Sequence, residues 1–308
     1  MCGRVTLLTP PERLASCFGA VPVEIRRWSP RYNVAPGADL FGVVDPRSGP
    51  LPAVVRSGSV DAGTGRGEGG GAGEEPAGVP ATPHRPVELR SFRWGVRLPG
   101  GPGRAAGRLV HNARSETVAS RQLFATAYRH HRIVVPVDGF FEWERRGKER
   151  QPYYFVRHDG DPLALAGLWV DTPSTGGGPV AGGEDPATAE DIPACVVVTA
   201  GASADMAGVH DRMPVILERD GWEAWLDPGT APDDLAYLLG QYSPAGVLVH
   251  HPVDRRMGAT RVDDPGVIEP LAGLTAPAEG TSLVGPFAGP LGRKPPSTGP
   301  AVDAPTLF

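Results

Sequence analysis

At 308 residues the chain has room for one large domain or two ordinary ones, and its 40% hydrophobic content supplies a real core. Three cysteines, Cys2, Cys17 and Cys195, with no C-x-x-C pair and no histidine pair at zinc spacing, speak against a disulfide framework or a structural zinc site and for a reducing, cytoplasmic setting. No apolar run approaches the roughly 18 residues of a membrane span, and no charged-then-apolar leader opens the chain, so neither membrane insertion nor secretion is expected.

The formal net charge of −5 argues against a nucleic-acid partner until it is divided by region. Residues 59–79 carry −3 and residues 171–191 carry −5, which leaves +3 for everything else. Within that remainder, residues 85–114 hold seven arginines against the single acid Glu88, enough for a local positive surface or for a merely solvated loop.

In chain order, Cys2 follows the initiator Met1 directly. Loss of Met1 would leave an α-amine and a thiol on one residue, a 1,2-aminothiol that captures an aldehyde first as an imine and then as a five-membered thiazolidine. Ordinary pKa values of about 8 for the amine and about 8.5 for the thiol lie close enough to neutrality for modest tuning to activate both. A helix is predicted over 11–18, then strands over 40–44 and 89–94. Between those strands, 57–83 is Gly-rich and reads as a flexible insertion.

Asn112 and Arg114 alternate around Ala113, so an extended backbone turns both to one side. An amide there suits a hydrogen bond to the Cys2 amine or to a sugar, and a guanidinium suits a phosphate; capping of the next helix is the competing reading of Asn112. That helix is predicted over 116–129, from Ala119, Leu123 and Ala127 at intervals of four. Strands follow at 132–137, 153–157, 163–168, 195–199 and 247–251, with a second insertion at 172–191 and helical patterns around Trp222, Trp225 and Leu226 and around Leu235, Leu238 and Leu239. Beyond Pro277 the chain is rich in Pro, Gly and Ser and reads as a disordered tail, 277–308. The expected fold is α+β: a single β-rich domain over 1–276, with a curved or barrel-like sheet, peripheral helices and two loose insertions.

Glu142 lies in Phe140-Phe141-Glu142-Trp143, where strand alternation puts its carboxylate on the face of Phe140 and opposite Trp143. Partial burial there would raise its pKa toward neutrality, as proton transfer requires; a structural glutamate paired with an arginine is the alternative. His210 opens His210-Asp211-Arg212-Met213-Pro214 and suits protonation of a leaving oxygen near neutral pH, against the alternative of an ordinary surface or core histidine. The role of Asp211 stays open.

Taken together, Met1-Cys2-Gly3-Arg4, Arg31-Tyr32-Asn33-Val34-Ala35-Pro36, Trp94-Gly95, His111-Asn112-Ala113-Arg114, Asp138-Gly139-Phe140-Phe141-Glu142-Trp143 and His210-Asp211-Arg212 resemble, in order, the motifs of the SOS-response-associated peptidase (SRAP) family. Members of that family crosslink to abasic sites in single-stranded DNA. The resemblance implies a monomeric, nucleoid-associated protein that needs no metal or organic cofactor, with Cys2, Asn112, Glu142 and His210 catalytic and with Arg4, Asn33, Trp94 and Arg114 along a DNA groove. Trp94 is singled out among the aromatics as the one near DNA, while Phe140 and Trp143 are assigned to packing. The chain departs from the pattern after Trp94-Gly95, where Val96-Arg97-Leu98-Pro99 lacks the usual second tryptophan. Two other readings of an N-terminal cysteine stand beside this one: an amidohydrolase, for which the glutamine-recognition motifs are missing, and a self-processing thiol peptidase.

Overall fold

A computed structural model of the chain describes residues 2–49, 86–98, 107–170, 192–240 and 245–271. The segments 57–83, 172–191 and 277–308, read above as insertions and tail, lie outside the described residues. All described elements fall in one unit, Met1–Ala276.

Fifteen strands and four α-helices are described. β1 (Val5–Leu7), β3 (Arg31–Val34), β10 (Gly139–Arg146), β11 (Glu149–Arg157) and β15 (Leu248–Pro252) form one sheet in the order β15-β11-β10-β1-β3. A second sheet runs β14 (Arg212–Pro214), β13 (Ala194–Gly201), β12 (Leu163–Val170), β9 (Arg132–Val137), β4 (Asp39–Val44), β5 (Glu88–Trp94) and β2 (Val21–Pro22). β13 pairs again with β5, in parallel, through Ala194↔Arg93 and Cys195↔Trp94. The path β13-β12-β9-β4-β5 therefore returns to its own start, the ring that the barrel-like expectation described. β8 (Asn112–Arg114) lies parallel to β13, and β6 (Val96–Arg97) and β7 (Leu109–Val110) make a separate two-stranded ribbon.

The ring strands read as nearly continuous apolar runs because both of their faces are covered. Along β9, Ile133, Val135 and Val137 enter a cluster shared with Val5, Phe140 and Phe155 of the five-stranded sheet. Val134 points the other way, into a cluster with Leu14 and Phe18 of α1 (Pro11–Phe18), Tyr128 of α2 (Ala125–His130), Trp222 and Trp225 of α3 (Arg219–Leu226) and Leu235 of α4 (Pro232–Gly240). α1 opens on Pro11 and stops at Gly19, whose φ of 61° closes the helix in the left-handed conformation. Arg132 is buried with its guanidinium on the carbonyls of Tyr128, Trp225 and Asp227, so one side chain satisfies the ends of α2 and α3. No helix among the described residues is long and apolar enough to cross a membrane.

The helix expected over 116–129 is realised only as α2; residues 115–124 are turns. Thr117 O accepts from the main-chain N–H groups of Ser120 and Arg121 and from the Ser120 hydroxyl, so a single carbonyl closes an isolated turn here with the Ser120 side chain competing for it. The residues that anchor this segment are Val118 and Phe124, six apart and both buried, while Ala119 is exposed. The interval of four in the sequence was therefore not a buried face.

Candidate active site

Four segments converge where the two sheets meet. Cys2 leads into β1, which sits between β10 and β3, and its side chain is completely buried in the cluster that both sheets share. Its carbonyl accepts a hydrogen bond of 2.7 Å from Asn112 Nδ2, a side chain delivered by β8 through the pairing Val197↔Asn112. Asn112 Oδ1 is buried and has no hydrogen-bond partner among the described residues. Glu142, on β10, is 2% exposed, and His210 brings Nε2 to 3.9 Å from Glu142 Oε2. Phe140 packs in the inter-sheet cluster while Phe141 and Trp143 belong to a third cluster on the opposite face, as strand alternation requires.

Burial sets the electrostatics. The Cys2 thiol is pushed well up from its ordinary value, by desolvation first and by the neighbouring Glu142 charge second. The Glu142 carboxyl is also pushed up by desolvation, against smaller opposing pulls from the α-amine of the chain first, then from His210 and the Trp143 main-chain N–H. Burial thus disfavours both the thiolate and the carboxylate at this place. His111, next to Asn112, is pushed down by burial and by the nearby Arg108 charge.

The residues expected along a DNA groove divide. Arg114 is exposed beside Asn112, on a strand held to β13 by Thr199↔Arg114. Arg97 and Arg108 are exposed on the β6–β7 ribbon. Arg4 is half-buried and donates to Asn33 Oδ1 at 2.6 Å and to the carbonyls of Met257 and Gly258. Asn33 is 1% exposed, and its Nδ2 donates to Met257 O, Ala259 O and Val262 O. It closes the 257–262 loop, the loop-forming role, and offers nothing to a groove. Trp94 departs furthest from expectation: it is fully buried in the inter-sheet cluster and its Nε1–H donates to His111 O at 3.1 Å, so neither ring face is open to a base. An arginine-rich sequence context located the strand but not the side of it on which the ring falls. Tyr153, directly opposite Glu142 in register and half-buried, is an aromatic on the site's own face that sequence reasoning missed.

The described residues thus make a ring of strands flanked by a smaller sheet, with the Cys2 thiol, the Asn112 amide, the Glu142 carboxyl and the His210 imidazole at the junction. The chain belongs to the SOS response associated peptidase (SRAP) family, whose model matches residues 1–260. It is 29% identical over 161 residues to the abasic site processing protein YedK of Escherichia coli, covering 52% of this chain and 67% of that one. It is 25% identical over 272 residues to the abasic site processing protein YoqW of Bacillus subtilis, covering 87% and 99%. It is 32% identical over 177 residues to the abasic site processing protein HMCES of Xenopus tropicalis, spanning 51% of this chain and about half, 48%, of that one. The fold is similar to that of a phage-related protein from Bordetella bronchiseptica, with a TM-score of 0.52 and 24% identity over 82% of this chain and 95% of that chain.

Proposed function

We propose that this protein recognises abasic sites in single-stranded DNA and bonds to them through Cys2 once Met1 is gone, masking the lesion as a protein–DNA crosslink. The observation that carries the reading is the Cys2 main chain held at 2.7 Å by Asn112 in a buried site that also holds Glu142 and His210. Support also comes from the relatives, which are abasic site processing proteins. Exposed Arg97, Arg108 and Arg114 beside the site fit a phosphate backbone, and the fork of Arg114 suits a phosphate next to the lesion.

In this mechanism the sugar opens to its C1′ aldehyde with proton transfer from Glu142 and His210. The Cys2 amine adds to the carbonyl carbon, and loss of one water gives the imine. The sulfur then adds to the imine carbon; its proton passes by way of Glu142 to the nitrogen, which closes the thiazolidine. One C–N and one C–S bond form, one water leaves, and nothing is oxidised or reduced. In this reading Asn112 holds the Cys2 main chain through its Nδ2 bond to the carbonyl while the amine reacts.

Intact mass before and after incubation with a single-stranded abasic oligonucleotide tests this directly. The expected product is the Met1-free protein plus the oligonucleotide less one water, absent in Cys2→Ala. An undiminished adduct in Cys2→Ala, or hydrolysis of unrelated peptides at a comparable rate, would overturn the reading in favour of another nucleophile or a thiol peptidase. Glu142→Gln and His210→Ala should each slow crosslinking by about 10²–10⁴-fold without weakening DNA binding, read by single-turnover gels beside fluorescence anisotropy.

A further inference from the structure

The β10–β11 hairpin runs from the site out into solvent. Along β10 the chain passes from buried Glu142 through half-buried Trp143 and Glu144 to exposed Arg145 and Arg146, and the two-residue turn Gly147-Lys148 leads into β11. Pairing is continuous from Phe140↔Phe155 to Arg146↔Glu149, and so short a connection fixes its register, which sets Arg145 directly opposite Arg150. Opposed side chains share a face with Cβ atoms about 4.5–5.5 Å apart, and like charges placed there destabilise the pair. The acids of the hairpin are engaged elsewhere. Glu144 Oε2 accepts from the Tyr153 hydroxyl at 3.0 Å and lies 2.8 Å from Arg146 Nη2, while Glu149 Oε2 lies 2.7 Å from Arg255 Nη2. Arg145 and Arg150, both exposed, make no ion pair or hydrogen bond among the described residues, and exposed Lys148 adds a third cation at the tip.

We propose that Arg145 and Arg150 form a phosphate clamp for the DNA backbone that flanks the lesion, with Lys148 as a supporting charge. Two guanidinium forks on one face can both donate to a single phosphate, and an anion between them turns the cross-strand repulsion into attraction. Strand alternation puts the pair on the face of Trp143, opposite Glu142, and a rise of about 3.3 Å per residue sets Arg145 about 10 Å along β10 from Glu142. The phosphate it holds therefore belongs to a nucleotide beyond the site, on strand that has passed over the rim of the five-stranded sheet. A protein partner fits this surface less well, because the hairpin exposes no large apolar side chain to form the core of such an interface.

That the ligand is DNA rests on the function proposed above; the opposed charges do not. Fluorescence anisotropy with strands carrying a tetrahydrofuran abasic analogue, which has no aldehyde to react, separates the clamp from the site. One strand has about 20 nucleotides, longer than a single binding site, and the other about 5, near the smallest. Arg145→Gln/Arg150→Gln should weaken the long strand about three- to tenfold at low salt and reduce the slope of log affinity against log salt by about 0.7, one phosphate contact on a single strand. For the short strand the change should stay within about twofold. Arg145→Lys/Arg150→Lys keeps the charge and should keep the slope. Arg150→Glu makes the opposed pair an ion pair, so it should melt no lower than the wild type yet lose affinity for the long strand on the scale of the double glutamine variant. Affinity and slope unaltered in the glutamine and glutamate variants would mean a merely solvated hairpin and overturn the proposal. Equal losses on long and short strands would place the pair at the lesion and overturn it as well, and so would an early melt of Arg150→Glu, which would mean that the arginines are compensated within the fold. A wild type that never crosslinks, beside variants that lose affinity as expected, counts against the reaction and not against the clamp; normal crosslinking beside indifferent variants counts the other way.

Discussion

Glu142 gives up solvation for position, and the cost is readable as a pH dependence. Its folded pKa is raised by burial above the unfolded value of about 4.3. Below the unfolded value the carboxyl is protonated in both states and burial carries no charge penalty. As pH rises from the unfolded value through the folded one, the unfolded chain sheds a proton that the folded chain keeps, so the stability associated with the protonated form is lost. Glu142→Gln, neutral at every pH, should therefore melt progressively higher than the wild type as pH is raised from about 4 to about 8. Equal melting differences across that range would mean that Glu142 is ionised and compensated in the fold. Trp94 carries a second residue-scale prediction. Trp94→Phe removes one of the two donors to the His111 carbonyl, which Val197 N–H still reaches, and leaves space in a fully buried cluster, at a cost of roughly 1–3 kcal/mol by urea denaturation, with DNA affinity per folded molecule unchanged. A selective loss of affinity at full stability would put the ring at the DNA surface after all. That Asn112, Glu142 and His210 lie close to Cys2 followed from the family resemblance, since each of these three side chains read by itself left a structural alternative open. Asn33 and Trp94 were misplaced because a polar or aromatic side chain reads the same in sequence whether it faces a ligand or its own backbone.

Elements were legible where burial on two faces wrote long apolar runs, and illegible where they are short. All seven strands expected from the sequence are present, β9 with the same ends and β10 implied by the alternation around Glu142. β1, β2, β3, β6, β7, β8 and β14 have two to four residues each, too few to show a period of two, yet β1 and β8 carry Cys2 and Asn112 to the site. What holds such strands is pairing that no local pattern announces, as in the parallel contact of β8 with β13. The turn from β5 into β6 offers a test at this scale. Gly95 has φ 116°, its N–H donates to Cys195 O at 2.8 Å where the ring closes, and a Cβ there would stand 2.8 Å from Leu109 Cδ1. Gly95→Ala should destabilise the protein by about 1–3 kcal/mol, through the unfavourable backbone region and the clash with the ribbon strand, measured by chemical denaturation. A variant as stable as the wild type would show that Leu109 and the β6–β7 ribbon move aside freely.

The ring closure was expected only as a curved or barrel-like sheet, since nothing local in β5 or β13 specifies that two strands a hundred residues apart in sequence pair in parallel. At the scale of the whole molecule, charge is the property that bears most on DNA. The net charge of −5 conceals exposed Arg97, Arg108 and Arg114 near the site, and the segment 59–79 alone contributes −3. Deleting 59–79 leaves −2 and lowers the repulsion that any approaching phosphate backbone meets. Affinity for single-stranded DNA, followed by fluorescence anisotropy, should rise modestly at low ionic strength. The gain should fade as salt approaches about 0.15 M, where screening over roughly 8 Å hides charges held away from the groove. Arg114→Ala should act in the opposite sense, weakening binding at all sequences alike and reducing the slope of log affinity against log salt by about one, as loss of a single phosphate contact requires. A deletion that gives the same advantage at high salt as at low would locate the acidic segment in direct contact with the binding surface, acting by occupancy and not through its long-range field.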